Sequence, residues 1–465
     1  MASPSIQAWC GTIYPLVDAD GKVCKKPGQP GSFPKEVVMN EPRNVVVAMG
    51  GGPTPVINNS LRGIVEAARA YPNRFGTVYG AWHGVLGILR EELLDLLAQP
   101  EEEIALLRTT PAAGAIGTTR YKLEHDEDLH RIIEVFRAHD VGYFFGIGGN
   151  DTQLVCQRVA EAARDAGYGL TVVGVPKTID NDLGDPEMEL VDHTPGYGSV
   201  ARYWAWTIQC LEEENRGSSP ADPVLVVQAM GRRVGFVPAA ARLADPEREF
   251  PLLIFLAECG LSLEEITDSI ADMVRRRGRA LVVISEGLKL GELGERRDAF
   301  GHAAFSSSRA TVAQNLVNHL NDVGLPARGL ARGQVPGTEQ RDAILYASPV
   351  DLDEAYSVGV VAVELAAAGE SGYMVTIRRA QCTPYRAEYG KIPLEEVAGK
   401  DRPFPEMWIS ETKTDVTDKF VYYTRPLLGE DQVSVSLVGG RLRFARLKEI
   451  FAPKRLPKYV PAAYR

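Results

Sequence analysis

The chain has 465 residues, 45% hydrophobic and 24% charged, which excludes a fibrous or largely disordered protein and leaves room for two or three folded domains. Lysine and arginine total 51 against 61 aspartates and glutamates, a net charge of −10 that disfavours broad nucleic-acid binding and requires a local basic pocket for any phosphate ligand. No run of eighteen apolar residues occurs, and the six cysteines (Cys10, Cys24, Cys156, Cys210, Cys259, Cys382) form no C-x-x-C pair, so no membrane span, zinc site or disulfide framework is expected.

Residues 1–42, with Gly21, Pro27, Gly28, Pro30, Gly31 and Pro34, read as an irregular N-terminal extension. The start lacks the basic-then-apolar order of a secretory leader, so a cytoplasmic location is expected. Asn44 to Met49 is a buried strand by its β-branched run, and Asn58 to Tyr71 has helical spacing. Further strands are predicted at Val141–Ile147, Leu170–Val175, Pro223–Gln228 and Ala280–Ser285, with helices at Asp126–Ala138, Gln153–Ala166 and Ser307–Asp322 between them. This alternation predicts an α/β protein with parallel sheets in two tandem lobes, residues 43–190 and 191–341, followed by a segment 342–465 that returns to them. Its tail from Arg441 carries eight basic residues against Glu449 alone and reads as solvated or subunit-docking.

Glycine-rich turns follow three of the strands, at Gly50-Gly51-Gly52, Gly114–Arg120 and Gly148-Gly149-Asn150-Asp151. Without a Cβ, glycine lets the backbone approach an anion, and a following helix presents unpaired N–H groups to it. Neither the dinucleotide fingerprint nor a P-loop is present. The segment Val175-Pro-Lys-Thr-Ile-Asp-Asn-Asp182 is more specific, since it places a lysine, a hydroxyl and two carboxylates within six residues at a strand end. Two carboxylates two apart can divide labour, one taking a proton from a hydroxyl while the other helps to hold a divalent cation, and Lys177 can neutralise a phosphate. The plainer alternative is a capped turn closed by Asp180 or Asn181.

Gly51-Gly52, Gly148–Asp151, Pro176–Asp182, Met230-Gly231-Arg232, Ser285-Glu286-Gly287 and Gln340-Arg341 occur in an order and spacing that resemble the phosphofructokinase family over residues 43–375. Lys391–Val397 and Phe420–Leu428 are similar to its longer, pyrophosphate-dependent branch. The resemblance implies two Rossmann-like α/β lobes with the active site in the cleft between them. It implies Mg²⁺-dependent phosphoryl transfer to the 1-hydroxyl of fructose 6-phosphate, in a homodimer or homotetramer. ATP-using relatives keep glycine where this chain has Asp151 and Lys177, so the donor implied is pyrophosphate: Asp151 would repel a nucleotide's α-phosphate, and Lys177 would clamp the shorter anion.

By match to the family motifs, Asp180 is the general base, with Lys177, Arg120 and Arg232 beside it in catalysis. Gly51, Gly52, Gly149, Asn150 and Asp151 face the donor. Thr178, Asp182, Met230, Gly231 and Glu286 hold the sugar, while Arg332 and Arg341 hold its distal phosphate from adjacent subunits. Asp151, Asn150 and Asp182 stand nearest the metal. The chain departs from the family at Asn150, where many relatives carry an aspartate, and at Pro223 and Thr338, where an arginine and a histidine are common. These departures leave the acceptor open between fructose 6-phosphate and another sugar, sugar phosphate or polyol; ATP as donor and a non-catalytic sugar-phosphate sensor are the remaining alternatives. Trp204 and Trp206 read as packing residues, and His83 as a surface or supporting residue.

Overall fold

The computed structural model describes residues 41–290 and 311–465; residues 1–40 of the N-terminal extension, and the start predicted at Ser307 for the helix ending at Asp322, lie outside them. Eleven strands carry the main architecture: β1 (Arg43–Met49), β2 (Phe75–Ala81), β3 (Leu93–Asp95), β4 (Val141–Gly148), β5 (Thr171–Pro176), β6 (Val224–Ala229), β7 (Leu252–Phe255), β8 (Ala280–Ser285), β9 (Ala331–Gln334), β10 (Tyr373–Cys382) and β11 (Tyr385–Pro393). They form a seven-stranded sheet in the order β11-β10-β5-β4-β1-β2-β3 and a four-stranded sheet in the order β7-β8-β6-β9. The second sheet is wholly parallel. The first has a parallel centre and antiparallel edges: β3 runs antiparallel to β2, and β11 antiparallel to β10. Only the central strands, covered on both faces, need the continuous apolar runs of a parallel sheet.

Helix Asn150–Asp165 begins three residues before its predicted start, because Gly149 caps it and brings the first turn to the end of β4. Helices Ile57–Arg69 and Pro349–Ala367 cross at two glycines: a Cβ on Gly63 would lie 2.2 Å from the Tyr356 carbonyl oxygen, and one on Gly359 2.3 Å from that of Ser60. Trp204 is fully buried and donates to Gln340 Oε1 at 3.0 Å, while Trp206 stacks on the Arg202 guanidinium, so both pack as expected. The basic tail keeps most of its charged side chains exposed, while its backbone is anchored. It lies along β3 of its own lobe, where Asp95 N–H donates to Ile450 O at 2.8 Å and Ala452 N–H to Leu93 O at 2.9 Å.

Behind the first sheet's inner end lies a buried charged network. His193, 1% exposed, holds Asp192 Oδ2 and Glu354 Oε2, each at 2.7 Å, and Arg379 donates to Asp192 at 2.9 Å. Burial alone would lower the His193 pKa, but Glu354 and Asp192 outweigh it and push it up to about 9. Because the folded value lies above the ordinary 6.5, the stabilisation is complete below that pH and is lost as pH rises through about 9. His193→Gln, which removes the cation between two buried carboxylates and leaves Glu354 without a charged partner, is expected to cost about 3 kcal/mol at pH 6. Denaturant unfolding of both proteins should show the gap narrowing above pH 9; an equal gap at both pH values would mean His193 is neutral in the fold.

Candidate active site

The carboxyl ends of five strands converge on one cleft, where loops after parallel strands leave backbone N–H groups and side chains free to meet a ligand. β1 delivers Gly50-Gly51-Gly52, β4 delivers Gly149-Asn150-Asp151, β5 delivers Lys177–Asp182, β6 delivers Met230-Gly231-Arg232 and β8 delivers Glu286. The cleft measures about 710 Å³, room for two small anionic ligands side by side.

Its floor is the loop after β5. Thr178 Oγ1 accepts from Asp180 N–H at 3.1 Å and donates to Asp182 Oδ1 at 3.3 Å, a local turn that sets the two aspartates two residues apart. Asn181 between them is left-handed, with φ +56°, as is Arg232 on the opposite wall with φ +55°. Non-glycine residues held there cost about 1–3 kcal/mol each and persist where the surroundings fix them, a pattern that concentrates at functional sites. Lys177 is 2% exposed, and its ammonium donates to Gly52 O at 2.6 Å, tying the β5 loop to the β1 loop. Burial lowers its pKa to about 8, against the pull of Asp180. Burial raises the pKa of Asp180, and raises that of Asp182, where the neighbouring Asp180 charge adds to it.

Across the cleft, Arg232 N–H donates to Glu286 Oε1 at 3.0 Å, and its guanidinium lies 3.7 Å from Asp182 Oδ2. Met230 N–H donates to Gln340 Oε1 at 3.0 Å, which fixes the β6 loop against the turn that carries Arg341. Arg341 reaches to Gly52, where a Cβ would stand 2.6 Å from its Nη1. Arg120 lines the same wall, and its charge joins burial in lowering the Arg341 pKa. Three cations, Arg120, Lys177 and Arg341, thus surround the Gly51-Gly52 turn.

Of the residues singled out in the sequence, Gly51, Gly52, Arg120, Gly149, Asn150, Asp151, Lys177, Thr178, Asp180, Asp182, Met230, Arg232, Glu286 and Arg341 line the cleft. Gly231 sits just behind it, as a φ +121° hinge against Val234 and Val237. Arg332 lies outside, exposed on β9 and paired with Asp222 at 2.9 Å. Pro223 is buried at the start of β6 and Thr338 is exposed in the Gly337–Arg341 turn, so neither belongs to this chain's own cleft wall. Position 223 is at the far end of β6 from the cleft. Sequence reasoning missed Asp401, Gly399, Lys122 and Arg158, which also line it. Asp401 comes from a Gly-Lys-Asp-Arg-Pro stretch indistinguishable from a surface turn.

Comparison with known proteins decides what this site belongs to. The Phosphofructokinase family matches residues 44–366, more than half of the chain and every strand that feeds the cleft. This chain is a member of the phosphofructokinase family. Among its phosphofructokinase relatives, the pyrophosphate–fructose 6-phosphate 1-phosphotransferase of Methylococcus capsulatus is 37% identical over 427 residues, covering 89% of this chain and 98% of the relative. The sulfofructose kinase of Alkalicoccus urumqiensis is 30% identical, covering 79% and 92%. The crystal structure of a pyrophosphate-dependent phosphofructokinase from Nitrosospira multiformis superposes with a TM-score of 0.81 at 33% identity, over 90% of this chain and 100% of that one. The phosphofructokinase fold is therefore shared along nearly the whole length. No helix among the described residues is long and apolar enough to cross a membrane.

Proposed function

We propose that this phosphofructokinase transfers a phosphoryl group from pyrophosphate to the 1-hydroxyl of fructose 6-phosphate, giving fructose 1,6-bisphosphate and inorganic phosphate. The observation that carries this reading is the buried Lys177 ammonium, bound to Gly52 O on the same loop as Asp180 and Asp182. Asp151 stands exposed in the first turn of helix Asn150–Asp165, where its charge opposes a third phosphate but tolerates a shorter donor.

Asp180 takes the proton from the sugar 1-hydroxyl as the new P–O bond forms, while the bond to the leaving phosphate breaks on the opposite side. Lys177 and Arg120 face the transferring group, whose charge spreads over its equatorial oxygens, and their donors meet that charge. Arg232 bridges the sugar side to Asp182, Glu286 accepts from sugar hydroxyls, and Arg341 holds phosphate charge beside Gly52. Thr178 positions the reacting oxygen.

Mg²⁺ fits this donor set. Asp151, Asn150 and Asp182 line the donor side of the cleft and offer the hard oxygens that Mg²⁺ takes beside phosphate oxygens and water. When bound, it would neutralise charge on the donor phosphates.

On this reading the exposed Arg332 serves a second copy, in a homodimer or homotetramer, and the enzyme acts in the cytoplasm on soluble anionic substrates. Pro223 and Arg332 stand at the same end of the paired strands β6 and β9, so a surface offering Arg332 offers no second cation from position 223. That observation, with the sulfofructose kinase relative, favours a second reading in which the acceptor is another sugar, sugar phosphate or polyol.

Lys177 must be charged to hold the donor, and it loses its proton as pH rises through about 8. The kcat/KM for pyrophosphate is therefore expected to fall on the alkaline side near that pH, reporting the free enzyme. Lys177→Arg, cationic at every accessible pH, should lower activity but remove the limb. An unchanged limb in the variant would take Lys177 out of the donor site.

A further inference from the structure

Beyond the family-matched residues 44–366, the chain crosses the back of the active site at Gly399–Arg402. Gly399 N–H donates to Asn150 O at 3.1 Å, the Asn150 amide donates to Lys400 O at 2.7 Å, and Arg402 N–H donates to Asp182 O at 2.6 Å. The crossing therefore ties the donor loop after β4 to the carboxylate loop after β5.

The Arg402 side chain goes further. It is 0% exposed, yet its hydrogen bonds in the described structure all end on uncharged oxygens. Nε donates to Asn181 O at 3.1 Å, Nη2 donates to the same oxygen at 2.8 Å and to Asn181 Oδ1 at 2.9 Å, and Nη1 donates to Val191 O. Three of these four bonds hold one residue. Asn181 is itself fully buried and left-handed, and two more groups grip it: its amide donates to Tyr423 Oη at 3.0 Å, and its Oδ1 accepts from Thr194 N–H at 3.2 Å.

Burying a guanidinium costs several kcal/mol, and a left-handed asparagine adds strain, so this arrangement is not the cheapest way to fill a core. What the two features produce together is a fixed backbone conformation between Asp180 and Asp182. A rigid planar fork can set a backbone carbonyl and a side-chain oxygen at once, which a lysine's single ammonium cannot.

We propose that Arg402 is a positioning residue for phosphoryl transfer, holding Asn181 left-handed so that Asp180 and Asp182 both face the cleft. This rests on the reading of Asp180 as base. Arg402 touches no substrate; it acts through the Thr178–Asp182 loop.

The test compares the full-length chain with Arg402→Lys and Arg402→Gln, measuring kcat, both KM values, thermal unfolding and amide hydrogen exchange across Thr178–Leu183. In folded Arg402→Lys, kcat is expected to fall about 100-fold, as for misplacement of a reacting group by about an ångström. Both KM values should change less than about threefold, since the phosphate-facing cations stay in place. Exchange across the loop should quicken about tenfold. A folded variant with kcat within about twofold of the parent, or with KM rising while kcat holds, would overturn the proposal. If neither Arg402 variant folds, Asn181→Gly replaces them: it accepts the left-handed backbone but loses the side-chain grip, and should lower kcat about tenfold with KM unchanged. An unaltered kcat there would be equally fatal. The exchange readout needs no turnover, so a parent inactive with pyrophosphate and fructose 6-phosphate would contradict the functional reading, while unchanged loop protection in Arg402→Lys would contradict the positioning role separately.

Discussion

Asp180→Asn is expected to turn over about 10²–10⁴ times more slowly than the parent while folding normally, because it deletes the base and little else. The loop's shape does not depend on that carboxylate: the turn is closed by Asp180 N–H on Thr178 Oγ1, and Asn181 and Asp182 are held from behind by Tyr423 and Arg402. Burial raises the Asp180 pKa, so the ionised carboxylate costs the fold stability above the ordinary aspartate range. The asparagine carries no such charge and should leave the unfolding midpoint equal or higher at neutral pH. Steady-state kinetics beside thermal unfolding check both halves. Retention of more than about a tenth of kcat would remove Asp180 from the base role.

Arg120→Ala is the second large effect. Its guanidinium lies on the exposed wall of the cleft and shares with Lys177 and Arg341 the space around Gly51-Gly52, where the donor phosphates would sit. Removing one such donor of transition-state stabilisation costs about 10²–10³ in kcat. The residue is exposed, so stability should move by no more than about 0.5 kcal/mol. Arg120→Lys keeps the charge but loses the fork, and should recover only part of the rate. If kcat were kept and only the KM for pyrophosphate rose, Arg120 would bind the ground state and the transferring group alike, and its catalytic assignment would fail.

The central strands were legible because buried parallel strands must be continuous apolar runs: Val141–Ile147 and Ala280–Ser285 are recovered to within a residue. β3 was not, since Leu93-Leu94-Asp95 is three residues long inside an apolar stretch that reads equally as helix. The cleft residues were legible where several chemistries crowd a strand end, as at Lys177–Asp182. They were illegible where the chain supplies one residue from a distance. Asp401 and Arg402 sit in a short polar stretch more than two hundred residues after the loop they touch, and no local pattern distinguishes a fully buried arginine there from a solvated one. Arg332 lies away from its own chain's cleft, and its assignment to an adjacent subunit's site comes from the family match alone. In the tail, the exposed basic side chains are legible as solvated, but main-chain pairing with β3 leaves no mark in residue type.

The most direct test of the account is phosphoryl transfer by the purified chain with Mg²⁺ and either pyrophosphate or ATP, offered to fructose 6-phosphate and a panel of sugars, with products identified by mass spectrometry. The account predicts fructose 1,6-bisphosphate from pyrophosphate and little or none from ATP. Turnover with ATP but not pyrophosphate would contradict it, since Lys177 and Asp151 would then not set the donor.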